Sequence, residues 1–577
     1  MGSEKKMREV FVQQLSGEQR CVNTAMDEKF HNYLIDYLLD REIFEERYPS
    51  VCVEPLGQNQ AVVYVEGSDR FTGEDKEVSY NKIPRCYGLM ESRELEETGV
   101  MRVRRSPQFA LRGQGTLVGI IDTGIDLANP LFRYEDGTTK VQALWDQGDQ
   151  KGKKPEGFPF GTQWEREEID RALKEEPEIL PGDEEGHGTF LAAVAAGRED
   201  DQSDFSGVAP DGELLVVRLK RPKKYLLDFY SIGEDVWTCQ EDDVIMAIRY
   251  VLTMAMLRQK PVSICLGIGT NMGGHAGNGS LERYISACSL IPGVSFHLAS
   301  GNEGISGHHF HGEVPVGQSF QEVEFNVAQG EPGFVMELWG NAQVPFTVAL
   351  LSPGGERVER MQLKVDEFRR VHFFPENTEL QIRSFVGETV GGEQVIRMNF
   401  RSPSAGIWKM EVYAAGNGSR SYDIWMPISN FLQEETFFLN ASATETITSP
   451  GDAFYGITYV PYDVDNDSLY VRASQGYTRS GQVKPDLAAP GVNVDVVQGN
   501  RVVSRSGSSV AAAFGAGIGA LMQEWAFTKL NDRTLNGQNM KYYLTQGAVQ
   551  SEGYTYPDRA WGYGMVNIYD AFLSMRR

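Results

Sequence analysis

Four short stretches of this chain carry residues that could do chemistry together. They are Ile120-Ile121-Asp122-Thr123-Gly124-Ile125-Asp126, Gly186-His187-Gly188-Thr189, Ala299-Ser300-Gly301-Asn302-Glu303-Gly304 and Ser506-Gly507-Ser508-Ser509-Val510-Ala511-Ala512. In that order they offer an acid, a base, an amide donor and a hydroxyl nucleophile. An imidazole can take the hydroxyl proton, a carboxylate can orient the imidazole, and an amide can hydrogen-bond the oxyanion of a tetrahedral intermediate, which together is acyl-transfer chemistry.

Each residue has a plainer reading. Asp-Thr-Gly could be a strand-ending turn, and as an aspartic-protease loop it would need a second copy, which the chain does not contain. His187, flanked by glycines just ahead of the apolar run Phe190–Gly197, falls in the first turn of a predicted helix, where its ring has room to face a cleft. Asn302 could be a loop residue chosen for its tolerance of left-handed backbone. Ser508 and Ser509 are both candidate nucleophiles, and the distance to the alanine run selects Ser509. His308, His309 and His311 cluster, but no carboxylate or cysteine joins them at ligand spacing, so no metal and no cofactor is expected.

The elements that must position these residues follow from the periodicity. Leu117–Ile121, Leu214–Leu219, Val262–Leu266 and Val294–Leu298 are predicted as buried strands, and Glu241–Met256, with acids in its first turn, as a helix. Strands alternating with helices predict a doubly wound parallel α/β sheet, whose site lies at the carboxyl ends of the strands. Residues 1–90 read as a small α/β unit, with a helix over Met26–Arg47 and strands at Val51–Val53 and Ala61–Val65. Residues 307–437 differ: Phe320–Val327, Phe334–Trp339, Phe346–Leu351, Gln381–Phe385, Val395–Phe400 and Trp408–Tyr413 alternate apolar and polar between turn clusters. That pattern predicts an all-β sandwich or jelly roll inserted into the α/β unit, which is split into residues 91–306 and 438–577.

Composition narrows the class. The chain has 577 residues and 41% hydrophobic content, enough for several cores. Its formal charge of −25 argues against nucleic acid or an anionic membrane surface as partner. Six cysteines, all in the first half, show no zinc or redox spacing, and mostly buried free thiols are expected. The N-terminus lacks the apolar core of a signal peptide, and the run Val510–Met522 reads as too short to cross a bilayer.

The order Asp122…His187…Ser509 resembles the subtilisin-like serine proteases. The resemblance extends to Lys484-Pro485-Asp486-Leu487-Ala488-Ala489-Pro490-Gly491 ahead of the nucleophile, and to Cys265-Leu266-Gly267, similar to the family's Ser-Leu-Gly strand, with Cys265 in place of the serine. Ser508 replaces the family's threonine. The resemblance implies roles for Asp122, His187 and Ser509 as the triad, for Asn302 in the oxyanion hole, and for Cys265, Leu266 and Gly267 in substrate binding. The insertion, the N-terminal unit and the stretch Phe132–Thr139 ahead of Leu144–Gln147 make the chain most similar to the Csp-type germination proteases of clostridia.

That closer likeness implies a prodomain over residues 1–90 that acts as chaperone and inhibitor. It also implies self-cleavage after Met90, with Lys82–Met90 as an extended tail in the cleft. Protein or peptide substrates, a role in spore germination, and a cytoplasmic or spore-associated location in a Gram-positive anaerobe follow from it. A pseudoprotease that binds and regulates, and a general cytoplasmic protease, are the competing readings.

Overall fold

The computed structural model describes residues 24–36, 52–57, 60–66, 82–89, 98–199, 205–360, 368–386, 392–416, 418–498 and 501–575. At the N-terminal side, β1 (Phe30–Asp36), β2 (Cys52–Gly57) and β3 (Gln60–Glu66) form an antiparallel sheet in the order β1-β3-β2. The helix expected over Met26–Arg47 is therefore wrong where it can be compared: Phe30–Asp36 is a strand, in register with β3 from Phe30↔Glu66 to Asp36↔Gln60. Its buried residues are Asn32 and Leu34, two apart, which is a strand period. Short apolar runs fit both periods, and pairing with β3 decides between them. The remainder of that expected helix lies outside the described residues. Cys52 is disulfide-bonded, which corrects the expectation of free thiols, whereas Cys239, Cys265 and Cys288 are buried and outside any disulfide.

The central sheet has nine strands. Its middle is parallel: β5 (Leu117–Asp122) lies between β8 (Glu213–Arg218) and β10 (Val262–Leu266), and β10 pairs in turn with β12 (Val294–Ala299). Beyond β12 the strand Ile457–Asp463 continues the sheet, so the chain re-enters it after the insertion. On the other side β6 (Val141–Asp146) pairs with β8, and antiparallel β7 (Thr162–Glu165) closes that edge. Near-continuous apolar strands are what a sheet covered on both faces requires. Val118 and Ile120 of β5 face one core, with α1 (His187–Ala196) and the helix that begins at Ser508. Leu117 and Ile121 face the other, with α2 (Glu241–Arg258). The N-terminal sheet packs outside α2 and the helix Ser280–Cys288 through Leu34, Leu56, Val62 and Tyr64. The Tyr284 hydroxyl donates to the Leu56 carbonyl at 3.0 Å across that contact.

The helix α3 (Ser508–Gln523) is buried throughout. It continues as a π-helical turn over Glu524–Thr528, so the apolar element is longer than expected. The 21-residue run is long and apolar enough by composition to cross a bilayer, but most of it is buried inside the protein.

Between β12 and Ile457 the insertion folds as two antiparallel sheets. One has the spatial order His309–Glu313, Ser421–Trp425, Gly333–Asn341, Glu393–Arg401, Thr378–Val386, Phe368–Phe373. The other has Arg357–Val358, Phe346–Leu351, Gly406–Ala414, Phe320–Val327, Phe437–Phe438. They enclose their own core around Phe325, Phe334, Phe400 and Trp408. The insertion docks on the parallel-sheet unit through a cluster that includes Tyr225, Tyr230, Met272, Trp339 and Trp425. There His275 stacks on Trp425 at 4.1 Å, and the Arg397 guanidinium lies 3.6 Å from the centre of the Phe229 ring.

Candidate active site

Asp122 is the last residue of β5, His187 the first of α1, and Ser509 the second of α3. The Asp122 Oδ1 lies 2.7 Å from His187 Nδ1, and His187 Nε2 lies 3.1 Å from Ser509 Oγ. A carboxylate can only accept, so Nδ1 carries the proton and Nε2 is left to accept from the Ser509 hydroxyl. All three side chains are buried. The other candidate hydroxyl, Ser508, is turned away: its Oγ accepts the Gly301 N–H at 3.0 Å.

Neighbours outside the four stretches' obvious residues hold this geometry. Thr123 donates its N–H to Asp122 Oδ1 at 2.8 Å, and its hydroxyl accepts the Gly188 N–H at 2.9 Å, tying the end of β5 to the start of α1. Asp183 accepts from Gly186 N at 3.0 Å and from Thr189 N and Oγ1 at 2.8 and 2.6 Å, satisfying donors that a helix N-terminus leaves open. Neither Thr123 nor Asp183 was singled out from the sequence. An acid four residues ahead of a helix-starting histidine was the signal for Asp183.

Asn302 follows β12 by three residues and takes the Ser508 N–H on its Oδ1 at 3.0 Å. That fixes which end of the carboxamide faces α3 and turns the NH2 the other way. A cavity of about 460 Å³ opens beside it, lined by Glu185, Trp237, Arg472 and Ser506 and by Ile428 and Ser429 of the insertion.

The expected substrate-binding stretch divides. Cys265 and Leu266 are buried in β10, Cys265 paired on both sides with Ile120 and His297 and Leu266 on one side with Leu298. Burial raises the Cys265 thiol well above its usual range. Gly267 lies beyond the strand, against the triad: a Cβ there would sit 2.9 Å from Ser509 Cβ and 3.1 Å from His187 Cε1. The backbone that meets an extended chain is the next segment, β11 (Ile268–Gly269). It pairs antiparallel with β4 (Cys86–Leu89), Leu89 opposite Ile268 and Gly88 opposite Gly269. On its other side β4 pairs with β9 (Cys239–Gln240). Met90 lies outside the described residues.

The histidine cluster does have carboxylate neighbours, contrary to expectation. Asp423 accepts from His309 Nε2 at 3.2 Å and His311 Nδ1 at 2.7 Å, and Glu303 bonds His308 Nδ1 at 2.6 Å. Sequence spacing could not show Asp423, which is more than a hundred residues away, whereas Glu303 lies only five residues ahead of His308. The His309 ring also stacks on Trp425, which makes it a packing group.

Comparison with known proteins agrees with this arrangement. The model of the subtilase family matches residues 113–323 and 391–564. The C5a peptidase of Streptococcus pyogenes is 22% identical over 467 residues, covering 75% of this chain and 37% of that protein. The chain thus spans little more than a third of the length of the curated relatives it matches. Among solved structures, the CspB protease of Clostridium perfringens superposes with a TM-score of 0.73 at 27% identity, covering 83% of this chain and 97% of that one. With a parallel sheet, an Asp–His–Ser hydrogen-bond chain at its strand ends and the family pattern matched over both halves of that sheet, this chain belongs to the subtilase family.

Proposed function

We propose that this protein is a serine endopeptidase that cleaves its own chain once and then acts on another protein. The observation that carries the reading is the hydrogen-bond chain Asp122 Oδ1–His187 Nδ1 and His187 Nε2–Ser509 Oγ. Ser509 Oγ attacks the scissile carbonyl while His187 takes its proton. Asp122 holds the ring and offsets the charge of the imidazolium. The oxyanion is met by the Asn302 NH2 and the Ser509 N–H at the start of α3, where the helix dipole also favours negative charge. His187 then protonates the leaving amine, and a water, activated by the same ring, releases the acyl group.

Residues 1–90 are read as a prodomain, supported by β4 lying as a guest strand between β9 and β11, the way an extended peptide adds to a sheet edge. Residues 91–306 and 438–577 make the catalytic unit. The insertion, 307–437, is read as a jelly roll. Its eight principal strands, counted along the chain from His309–Glu313 to Ser421–Trp425 without the hairpin Phe368–Val386, pair 1-8-3-6 and 2-7-4-5. The role in spore germination, and with it a cytoplasmic or spore-associated location, rests on the likeness to the CspB protease.

Intact mass under denaturing conditions, wild type beside Ser509→Ala, tests the proposal. A wild-type chain split near residue 90 beside an intact variant is the expected result. If both chains stay whole, the protein is a pseudoprotease, and if both split alike, another enzyme does the cutting.

A further inference from the structure

Arg85 immediately precedes β4, and its side chain is buried. Its guanidinium enters a pocket between two helices, formed by Glu241, the first residue of α2, and Glu282, in the first turn of Ser280–Cys288. Nη2 lies 2.8 Å from Glu241 Oε1 and 2.7 and 2.8 Å from the two Glu282 oxygens, while Nη1 donates to the Met272 carbonyl at 3.2 Å. The backbone joins in: Arg85 N–H donates to Glu241 Oε2 at 3.2 Å, and Arg85 C=O accepts the Glu241 N–H at 2.8 Å.

The pocket is shaped for a flat fork. Gly279 and Gly273 wall it, and a Cβ on either would collide with the guanidinium nitrogens. Its charge exceeds that of its occupant. Glu241 and Glu282 are both buried, and Asp452 behind Glu282 has its carboxyl pushed up to about 6 by burial and by the Glu282 charge. Two buried carboxylates facing one cation lose heavily if that cation leaves without replacement. A lysine would bring charge, but its single nitrogen could not stand both where Nη2 meets the two glutamates and where Nη1 meets the Met272 carbonyl.

We infer that the Glu241–Glu282 pocket is an arginine subsite at the far end of the substrate cleft. Arg85 fills it and so holds the 82–89 segment in place, and a protein that displaces this segment is selected for an arginine just ahead of its extended stretch. The inference rests on the reading of the β9–β11 channel as a substrate cleft. Its ligand class is a peptide guanidinium, bound one residue before the strand that pairs with Ile268 and Gly269.

The test avoids proteolysis altogether. In the Ser509→Ala full-length chain, amide hydrogen exchange is followed at residues 86–89, at Ile268–Gly269 and, as a control for folding, at 294–299. Arg85→Ala is expected to speed exchange at 86–89 at least tenfold while 294–299 stay at the wild-type rate. Excess synthetic peptide of residues 82–89 should then restore protection at Ile268–Gly269, and the same peptide with alanine for the arginine should not. Unchanged exchange at 86–89, or equal restoration by the two peptides, overturns the inference. If Arg85→Ala also exposes 294–299, Arg85→Lys decides: exchange at 86–89 between wild type and fully exposed supports the subsite, and the wild-type rate refutes it. Because the nucleophile is absent throughout, an inactive triad and an absent arginine subsite give different results.

Discussion

Ser508 and Asn302 hold each other across the site: the Ser508 N–H donates to Asn302 Oδ1 at 3.0 Å, and the Ser508 hydroxyl, facing the other way, accepts the Gly301 N–H. Adjacent serines thus divide the labour, one fixing the loop that presents the amide and the other meeting His187. Asn302→Ala is expected to slow self-cleavage about a hundred- to a thousandfold, the size of effect that the corresponding donor has in subtilisin. Ser508→Ala leaves the buried Gly301 N–H without its acceptor, a cost of about 1–3 kcal/mol in stability, and about tenfold in rate. Ser508→Thr keeps the hydroxyl and should cleave at close to the wild-type rate. Time courses of intact mass compare all three. A Ser508→Ala chain as inert as Ser509→Ala would contradict this division.

Gly267 is where the cleft floor touches the triad. A methyl there would lie 2.9 Å from Ser509 Cβ and 2.5 Å from a Leu191 methyl, and neither neighbour can retreat, because both are buried. Gly267→Ala should therefore lower the cleavage rate at least about a hundredfold, since displacing a reacting group by about 1 Å costs that much. The melting temperature should fall only a few degrees. A variant with wild-type rate would show that the His187–Ser509 contact tolerates movement.

What the sequence disclosed and what it hid follow from the range of the interactions. Asp122, His187, Asn302 and Ser509 were legible because each sits at the end of an element whose signals are local: a buried strand stopping at an acid, a helix starting after a glycine. The strand β1 was misread because its apolar residues satisfy two periods, and only pairing with β3, some thirty residues on, selects one. The segment that pairs with 88–89, Ile268–Gly269, begins just past the expected stretch Cys265–Gly267. The run Val262–Gly269 is apolar but for Ser263, and nothing in its letters marks Leu266 as the last residue of the strand. The Arg85 pocket joins residues 156 and 197 positions apart, beyond the reach of any pattern along the chain.

Trp425 ties the insertion to the catalytic unit. It is fully buried, stacked between His275 at 4.1 Å and His309 at 4.7 Å, and its Nε1–H donates to the Glu445 carbonyl at 3.2 Å. Removing the indole leaves a cavity at that junction, and Trp425→Ala should cost about 3–5 kcal/mol. Chemical denaturation followed by fluorescence and by loss of self-cleavage would read it. The two probes should shift together, since the junction belongs to both units. A cost under about 1 kcal/mol would mean that the insertion docks by other contacts.

Glu337 contributes a pH dependence that one substitution can isolate. It is fully buried at the same junction, where Oε2 accepts the Gly273 N–H at 3.0 Å and the Trp339 indole N–H at 3.1 Å. Burial nevertheless outweighs those donors and pushes its carboxyl from 4.5 up to about 7. Below pH 4.5 folded and unfolded chains both carry the proton, and its contribution is constant. Between 4.5 and 7 the unfolded chain loses the proton while the folded one keeps it, so stability falls as pH rises, at about 1.4 kcal/mol per pH unit at most. Glu337→Gln, which keeps the shape and cannot ionise, should lack that slope. The stability difference, wild type minus variant, should drop by about 3 kcal/mol between pH 4.5 and 7, given the shift from 4.5 to about 7. Parallel denaturation curves across that range would show that Glu337 is ionised in the folded protein.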